Sequence, residues 1–404
     1  MNVLFLSLID FNTFSDRNIY SDLLREFIKN RHRVYCISPV EKKTGKETSL
    51  IAEGENQILK LRIGNTQKVN LIEKGISTIL IEPEFIKGIK TYFSGVKFDI
   101  VLYSTPPITF AKVIKYVKER DGAKTYLLLK DIFPQNAVDL GMLSKDGIKG
   151  VLYRYFKKKE KQLYELSDTI GCMSQANCDY ILKHNPEVKK RQVEVCPNCV
   201  EPQNMKISER KAVVIKQKYG IPLERKVFVY GGNLGIPQGI PFLIECLKSQ
   251  KNNTNVFFLI IGSGTEYGKL DAFIKEEKPE NVKLMRERPK TEYDCIVGSC
   301  DVGLIFLDHR FTIPNFPSRL LSYMQAQIPV LAVTDLSTDI GKVIVEGGFG
   351  WWCESNSVRD FENMVAEVCR ADKNAMGDKG WVYLQENYTV EKGYRIIMKH
   401  LEEV

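Results

Sequence analysis

The sequence predicts an α/β protein made of two doubly wound, parallel-sheet domains in tandem. Short apolar runs of strand length alternate with helical periodicity, and this pattern dissolves once near the middle and then restarts. A chain of 404 residues also exceeds what one ordinary core organises. With 44% hydrophobic and 27% charged residues the composition is that of a folded globular protein, which excludes general disorder.

In the first half the strand candidates are VLFLSL (3–8), RVYCIS (33–38), DIVLYS (99–104), TYLLLKD (125–131) and TIGCMS (169–174). Helical segments lie between them, including SDRNIYSDLLREFIKNRH, with Ser15 expected as its cap, and PITFAKVIKYVKER. The stretch 193–212, VEVCPNCVEPQNMKISERKA, loses periodicity and holds prolines and polar residues, so it reads as a linker with a hinge near 197–205. The restart brings KVFVYGGN (226–233), VFFLIIGSG (256–264), VKLMRE (282–287), VGLIFL (302–307) and PVLAVT (329–334). An aromatic cluster GGFGWWCE (347–354), a helix DFENMVAEVCRA (360–371) and a long helical tail follow. The expected domains are therefore 1–200 and 201–382, with 383–404 packing back on the first. Tandem domains of this kind bind ligands where their strand ends face each other across a cleft.

The formal net charge of +8 is unevenly placed: residues 1–200 carry 32 Lys/Arg against 23 Asp/Glu, and residues 201–404 carry 26 against 27. Much of the excess sits in IKGIKTYF (86–93), AKVIKYVKER (111–120) and GVLYRYFKKKEKQLYE (150–165), where basic and aromatic residues interleave. Such mixtures suit an anionic membrane surface or solvated helix faces with snorkelling lysines. Nucleic acid is not expected as a partner, because no nucleic-acid motif accompanies the charge. No run approaches the ~18 apolar residues of a membrane span, and MNVLFLSLIDFN lacks the marks of a signal peptide, so a cytoplasmic protein is expected. The ten cysteines read as reduced core residues. Cys196 and Cys199 have the spacing of a metal or redox pair, but no second pair completes a zinc site.

Candidate chemistry gathers at strand ends. In NFPSRLLSYMQAQIPVLAVTD (315–335), Asn315 or Ser318 is placed to cap a helix, with Pro317 in its first turn and Arg319 at its positive end, where a phosphate would be at home. The glycines of GGNLGIPQG (231–239) and GSGTE (262–266) let backbone approach a phosphate or sugar. TPPITF (105–110) is a further strand-to-helix loop, and Lys130 and Asp131 stand at the tip of YLLLKD. Asp131 suits sugar hydroxyls or helix capping. His309, in FLDHRF, is the best placed of the four histidines. The absence of HExxH, GxSxG and P-loop motifs removes the main support for metalloprotease, serine hydrolase and NTPase readings.

The ordered segments STPPITF, KDIFPQNAVDLGML, ELSDTIGCMSQANCDYI, VEVCPNCVE, YGGNLGIPQGIPFLIEC, IIGSGTEYGKL, NVKLMRERPKTEY, CDVGLIFL and FPSRLLSYMQAQIPVLA span nearly the whole chain. Together they resemble retaining family 4 glycosyltransferases of the GT-B fold, in the O-antigen and capsular polysaccharide branch that includes N-acetylfucosaminyl transferases. The resemblance implies that Asp131 faces the donor sugar and that Gly232, Asn233 and Gly235 underlie the donor phosphates, near Gln238, Gly262 and Gly264. It implies that the backbone around Arg288 holds the nucleotide base, and that Arg319, flanked by Pro317 and Ser318, contacts the diphosphate. Family members often have basic residues at Asn233 and near Gln238, and a ribose-binding Glu at Ser322, which this chain lacks. Its loop DFNTFSDRN also replaces a usual glycine pair, so Asp10, Asn12 and Arg17 are assigned to the acceptor side with Pro106 and Lys130.

The implied activity is transfer of a sugar from a nucleoside-diphosphate sugar, with UDP as the favoured nucleotide, to a glycan or undecaprenyl-diphosphate-linked acceptor. This would occur at the inner membrane face, with no metal or cofactor needed. The alternatives are a non-catalytic GT-B partner subunit and a nucleotide-sugar 2-epimerase.

Overall fold

The computed structural model describes residues 1–65 and 71–402. The chain divides into two compact units, residues 1–201 with 390–404, and residues 202–389.

Unit 1 is organised by eight strands: β1 (Asn2–Leu6), β2 (Arg33–Glu41), β3 (Ser49–Glu53), β4 (Asn56–Ile63), β5 (Ile100–Ser104), β6 (Lys124–Leu129), β7 (Thr169–Cys172) and β8 (Val193–Val195). They lie in the order β3-β4-β2-β1-β5-β6-β7-β8, parallel except where β3 meets β4. Strands β1, β5 and β6 are nearly continuous apolar runs because helices cover both faces of a parallel sheet. The sequence reading missed the β3/β4 hairpin: Ser49–Glu53 is mostly exposed, whereas Asn56–Ile63 buries Ile58, Leu59, Leu61 and Ile63 and its apolar run was overlooked. It also placed β8 inside the linker, although Val193–Val195 pairs with β7.

The helix Ile19–Lys29 is capped by Asn18, not Ser15. Asn18 is the last extended residue, its side chain accepts the N–H groups of Tyr20 and Ser21, and the Ser21 hydroxyl accepts the Asn18 N–H in return. Against this helix packs Val390–Glu402, with Tyr394 edge-on to Phe27 at 4.9 Å and its hydroxyl 2.8 Å from His32 Nε2.

Unit 2 contains β9 (Lys226–Asn233), β10 (Val256–Ser263), β11 (Val282–Met285), β12 (Val302–Phe306), β13 (Val330–Thr334) and β14 (Gly350–Glu354), in the all-parallel order β11-β10-β9-β12-β13-β14. Its core joins Phe228, Phe258, Phe306 and Phe361 across the sheet. The cluster GGFGWWCE is thus an edge strand; Gly350 is needed there because a Cβ would lie 2.0 Å from the Val330 carbonyl.

The expected single helical tail is two helices, Lys373–Asn387 and Val390–Glu402. Tyr388 leaves helical geometry (φ −127, ψ 26), and the Val390 N–H bonds the Val200 carbonyl at 3.1 Å. The unit boundary accordingly falls at 389–390, not 382–383.

Candidate functional site

In unit 2 the candidate residues converge at the carboxyl ends of β9 and β10. Strand β9 runs on through Gly231, Gly232 and Asn233, paired with Ile261, Gly262 and Ser263 of β10. The turn after it folds onto the neighbouring glycines: Leu234 N–H bonds Ser263 O at 2.8 Å and Glu266 N–H bonds Leu234 O at 2.9 Å. A Cβ on Gly262 would lie 1.9 Å from the Gly232 carbonyl, and one on Gly264 2.3 Å from that of Leu234. These two glycines therefore admit the loop at close range. Gly232 has φ +122, which side-chain-bearing residues rarely adopt.

Gln238, expected near the diphosphate, is buried and braces the turn. Its Oε1 accepts Asn233 Nδ2 and the Gly235 N–H, both at 3.1 Å. The 3₁₀ turn Ile236–Gln238 ends at Gly239 and leads into the helix Ile240–Ser249.

The helix Arg319–Ala326 starts without a side-chain cap from Ser318, and the Asn315 carbonyl serves Thr338 Oγ1 at 2.6 Å. Two of its first amides are already used, since Leu320 and Leu321 N–H bond the carbonyls of Pro317 and Ser318. The expected array of bare amides is therefore shortened, because Ser318 already has helical dihedrals and tightens the first turn. The positive charge comes instead from the Arg319 side chain. Its guanidinium lies 4.3 Å over the Tyr230 ring, and a Cβ on Gly232 would be 3.6 Å from Nη2. Nη1 is shut off from solvent and has no hydrogen-bond partner. The ionisable groups that act on it most are the hydroxyls of Tyr230, Tyr323 and Tyr293, with no carboxylate among them. A half-buried cation with an enclosed, unpaired Nη1 and no carboxylate beside it is a candidate anion site.

Ser322 is half-buried on the same helix. Arg288 is exposed and 3.7 Å from Glu292, while Arg286, which the sequence did not single out, stacks on Tyr267 at 3.6 Å. Glu287 accepts from Ser263 Oγ at 2.5 Å. His309 is exposed and 3.8 Å from Asp308, whose carboxylate is held by Arg310 at 2.8 and 2.9 Å. Burial raises the Asp308 pKa, but those hydrogen bonds outweigh it and hold the carboxylate below its usual range.

In unit 1 Asp131 follows β6. Both its oxygens accept Asn136 Nδ2 at 2.8 Å, and Thr105 Oγ1 accepts the N–H groups of Lys130 and Asp131 at 3.1 and 3.3 Å. Burial pushes the Asp131 pKa from 3.8 up to about 6, against the pull of the Asn136 and Ile132 hydrogen bonds. Lys130 is half-buried at the same strand end. Its amine sits near the thiols of Cys196, Cys199 and Cys172, and burial pulls its pKa down. Pro106 is exposed beside Thr105. Asp10 is exposed but paired with the buried Lys60, which also bonds Phe11 O and Ser38 Oγ. Asn12 is exposed, and Arg17 is half-buried with Nε lacking a partner.

All ten cysteines are free, and no group of His, Cys, Asp or Glu among the described residues is arranged to hold a metal. No helix of the described residues is long and apolar enough to cross a membrane.

Residues 213–377 match the family described as Glycosyl transferases group 1. The probable glycosyltransferase WbjE of Pseudomonas aeruginosa is 25% identical over 326 residues, covering 80% of this chain and 79% of that protein. Among solved structures, Anabaena Alr3699/HepE in complex with UDP superposes over the full length of both chains with a TM-score of 0.69 at 13% identity. WaaG, a glycosyltransferase involved in lipopolysaccharide biosynthesis, does so over 98% of this chain and 99% of its own, with a TM-score of 0.68 at 14% identity. The fold is GT-B, and the chain is a glycosyltransferase.

Proposed function

We propose that the protein is a retaining glycosyltransferase that moves a sugar from a nucleoside-diphosphate sugar, with UDP as the nucleotide, to a lipid-linked or membrane-associated glycan in bacterial surface-polysaccharide synthesis. Arg319 carries this reading, as a half-buried guanidinium with an enclosed, unspent Nη1 beside the Gly232 backbone. A diphosphate leaving group gains charge as the sugar C–O bond breaks. A cation held where water is excluded stabilises that charge more in the transition state than in the bound donor. The acceptor hydroxyl then attacks from the face the diphosphate leaves. Asp131, ionised above about pH 6, accepts a hydrogen bond from a sugar hydroxyl. The names of WbjE, WaaG and the UDP complex of HepE support donor and pathway.

A peripheral seat on the inner membrane face rests on the helix Gly147–Leu166. Val151, Arg154, Tyr155 and Lys158 recur on one face of it, all exposed, with exposed Leu152 and Lys149 alongside. Of the lysine trio, only Lys158 is free to meet a membrane. Lys157 bonds Glu160 and Asn185, and Lys159 bonds Glu82 at 3.0 Å with its side chain 12% exposed.

Thermal-shift titration with UDP and a panel of nucleotides tests the donor site. A ligand at 100 times its Kd stabilises by about 2.7 kcal/mol. Arg319→Ala should abolish the shift for diphosphates and leave that for nucleosides; a diphosphate shift that survives the substitution refutes the assignment.

A further inference from the structure

We propose that Tyr230 is the positioning residue of the donor site, fixing the Arg319 guanidinium and the Gly232–Asn233 turn in a single geometry without neutralising the cation. The inference rests on Arg319 being the diphosphate contact, and asks what holds that side chain in place.

An arginine aimed at an anion is commonly steered by a carboxylate, but a carboxylate competes with the ligand for the same N–H groups. Here the steering group is an aromatic face. The ring quadrupole of Tyr230, 4.3 Å from the guanidinium carbon, attracts the cation, and its neutral hydroxyl, which also reaches the guanidinium, sets no carboxylate beside it to compete with a phosphate. Tyr230 is fully buried within β9, immediately before the glycine pair. Its hydroxyl donates to the Asn233 carbonyl at 2.7 Å, on the far side of the two glycines. One side chain thus ties the cation to the turn whose backbone approaches the phosphates.

The surroundings keep this arrangement rigid. Tyr323, four residues after Arg319 on the same helix, places its hydroxyl 3.3 Å from the Gly231 nitrogen and 3.0 Å from the Leu304 carbonyl. Tyr293 closes the other side so tightly that a Cβ on Gly231 would lie 2.0 Å from its hydroxyl oxygen. The result is a tyrosine-lined socket in which Nη1 keeps its hydrogen-bonding capacity.

The test replaces Tyr230 by Phe and by Phe analogues bearing one, two and three ring fluorines, which weaken the quadrupole at nearly constant shape. UDP and uridine affinities, with donor KM and kcat, are measured in the native and Arg319→Ala backgrounds. The expected result is a stepwise rise of the UDP Kd with fluorine number, about 10-fold across the series. Uridine affinity should not move, and the series should be flat when Arg319 is Ala. A merely structural role would move UDP and uridine together and in both backgrounds, and that outcome overturns the proposal. A flat series with Arg319-dependent UDP binding intact overturns Tyr230 alone. UDP binding no tighter than uridine, and indifferent to Arg319→Ala, overturns the donor-site reading and this inference with it.

Discussion

Asp131→Asn should make the protein more stable and less active at neutral pH. Burial raises the Asp131 pKa from 3.8 to about 6, so the folded state favours the protonated acid. The stabilising difference is fully present below pH 3.8 and is lost as pH rises through about 6; above that, the ionised carboxylate destabilises the fold. At ~1.36 kcal/mol per unit the ceiling is about 3 kcal/mol, and partial solvent contact halves it to about 1–2 kcal/mol. The amide has no charge to desolvate and can still accept from Asn136 Nδ2, which now bridges both carboxylate oxygens. At pH 7.5 the variant should melt about 3–6 °C higher than the native protein. This gap should shrink steadily toward pH 5, while sugar transfer falls about 100-fold or more for want of the carboxylate. Fluorimetric melting from pH 5 to 8, paired with a donor-turnover assay, measures both. A melting gap that is absent at pH 7.5, or that is independent of pH, refutes the burial argument.

Other outcomes follow from the same structure. Native transfer activity should decline as pH drops through about 6, in step with Asp131 protonation; a flat profile between pH 5 and 8 would remove Asp131 from the rate. Gly262→Ala should lower stability by about 2–3 kcal/mol and weaken UDP binding together, because the new methyl meets the Gly232 carbonyl; calorimetry and UDP titration check this pair. Arg154→Glu with Lys158→Glu should release the protein from anionic liposomes in flotation assays without changing its melting temperature, and unchanged flotation would reject that face. Changing Lys157 and Lys159 to Glu as well should instead unfold the protein, by setting like charges against the buried Glu160 and Glu82.

The long apolar strands and the restart of the pattern near residue 226 were readable because a parallel sheet covered on both faces writes its burial as unbroken apolar runs. β3 and β8 were not, being short and partly exposed, and β14 hid behind its Gly and Trp content. Local chemistry put Arg319 at a helix start and the glycines in turns at strand ends, the family resemblance grouped them in one donor site, and the structure brings Arg319 close to Gly232. The sequence could not supply the partners. Tyr230, Tyr293 and Tyr323 look like core aromatics, and only folding brings them round one guanidinium. Nor did the sequence show that Gln238 braces the turn or that the Lys130 amine lies near thiols. A usable signal did exist: Tyr230 directly precedes the glycine pair, and Tyr323 follows Arg319 by one helical turn.

The helix Val390–Glu402 belongs to unit 1, and Val390, Ile397 and Met398 fill the same core as Val3, Phe5 and Phe27. During synthesis those residues leave the ribosome only after all of residues 202–389. Unit 2 can therefore complete its hydrophobic core while unit 1, begun first, still exposes the groove beside Ile19–Lys29. The N-terminal half would be the late folder and the one needing chaperone protection, and a premature stop near residue 390 would damage the half of the protein made earliest.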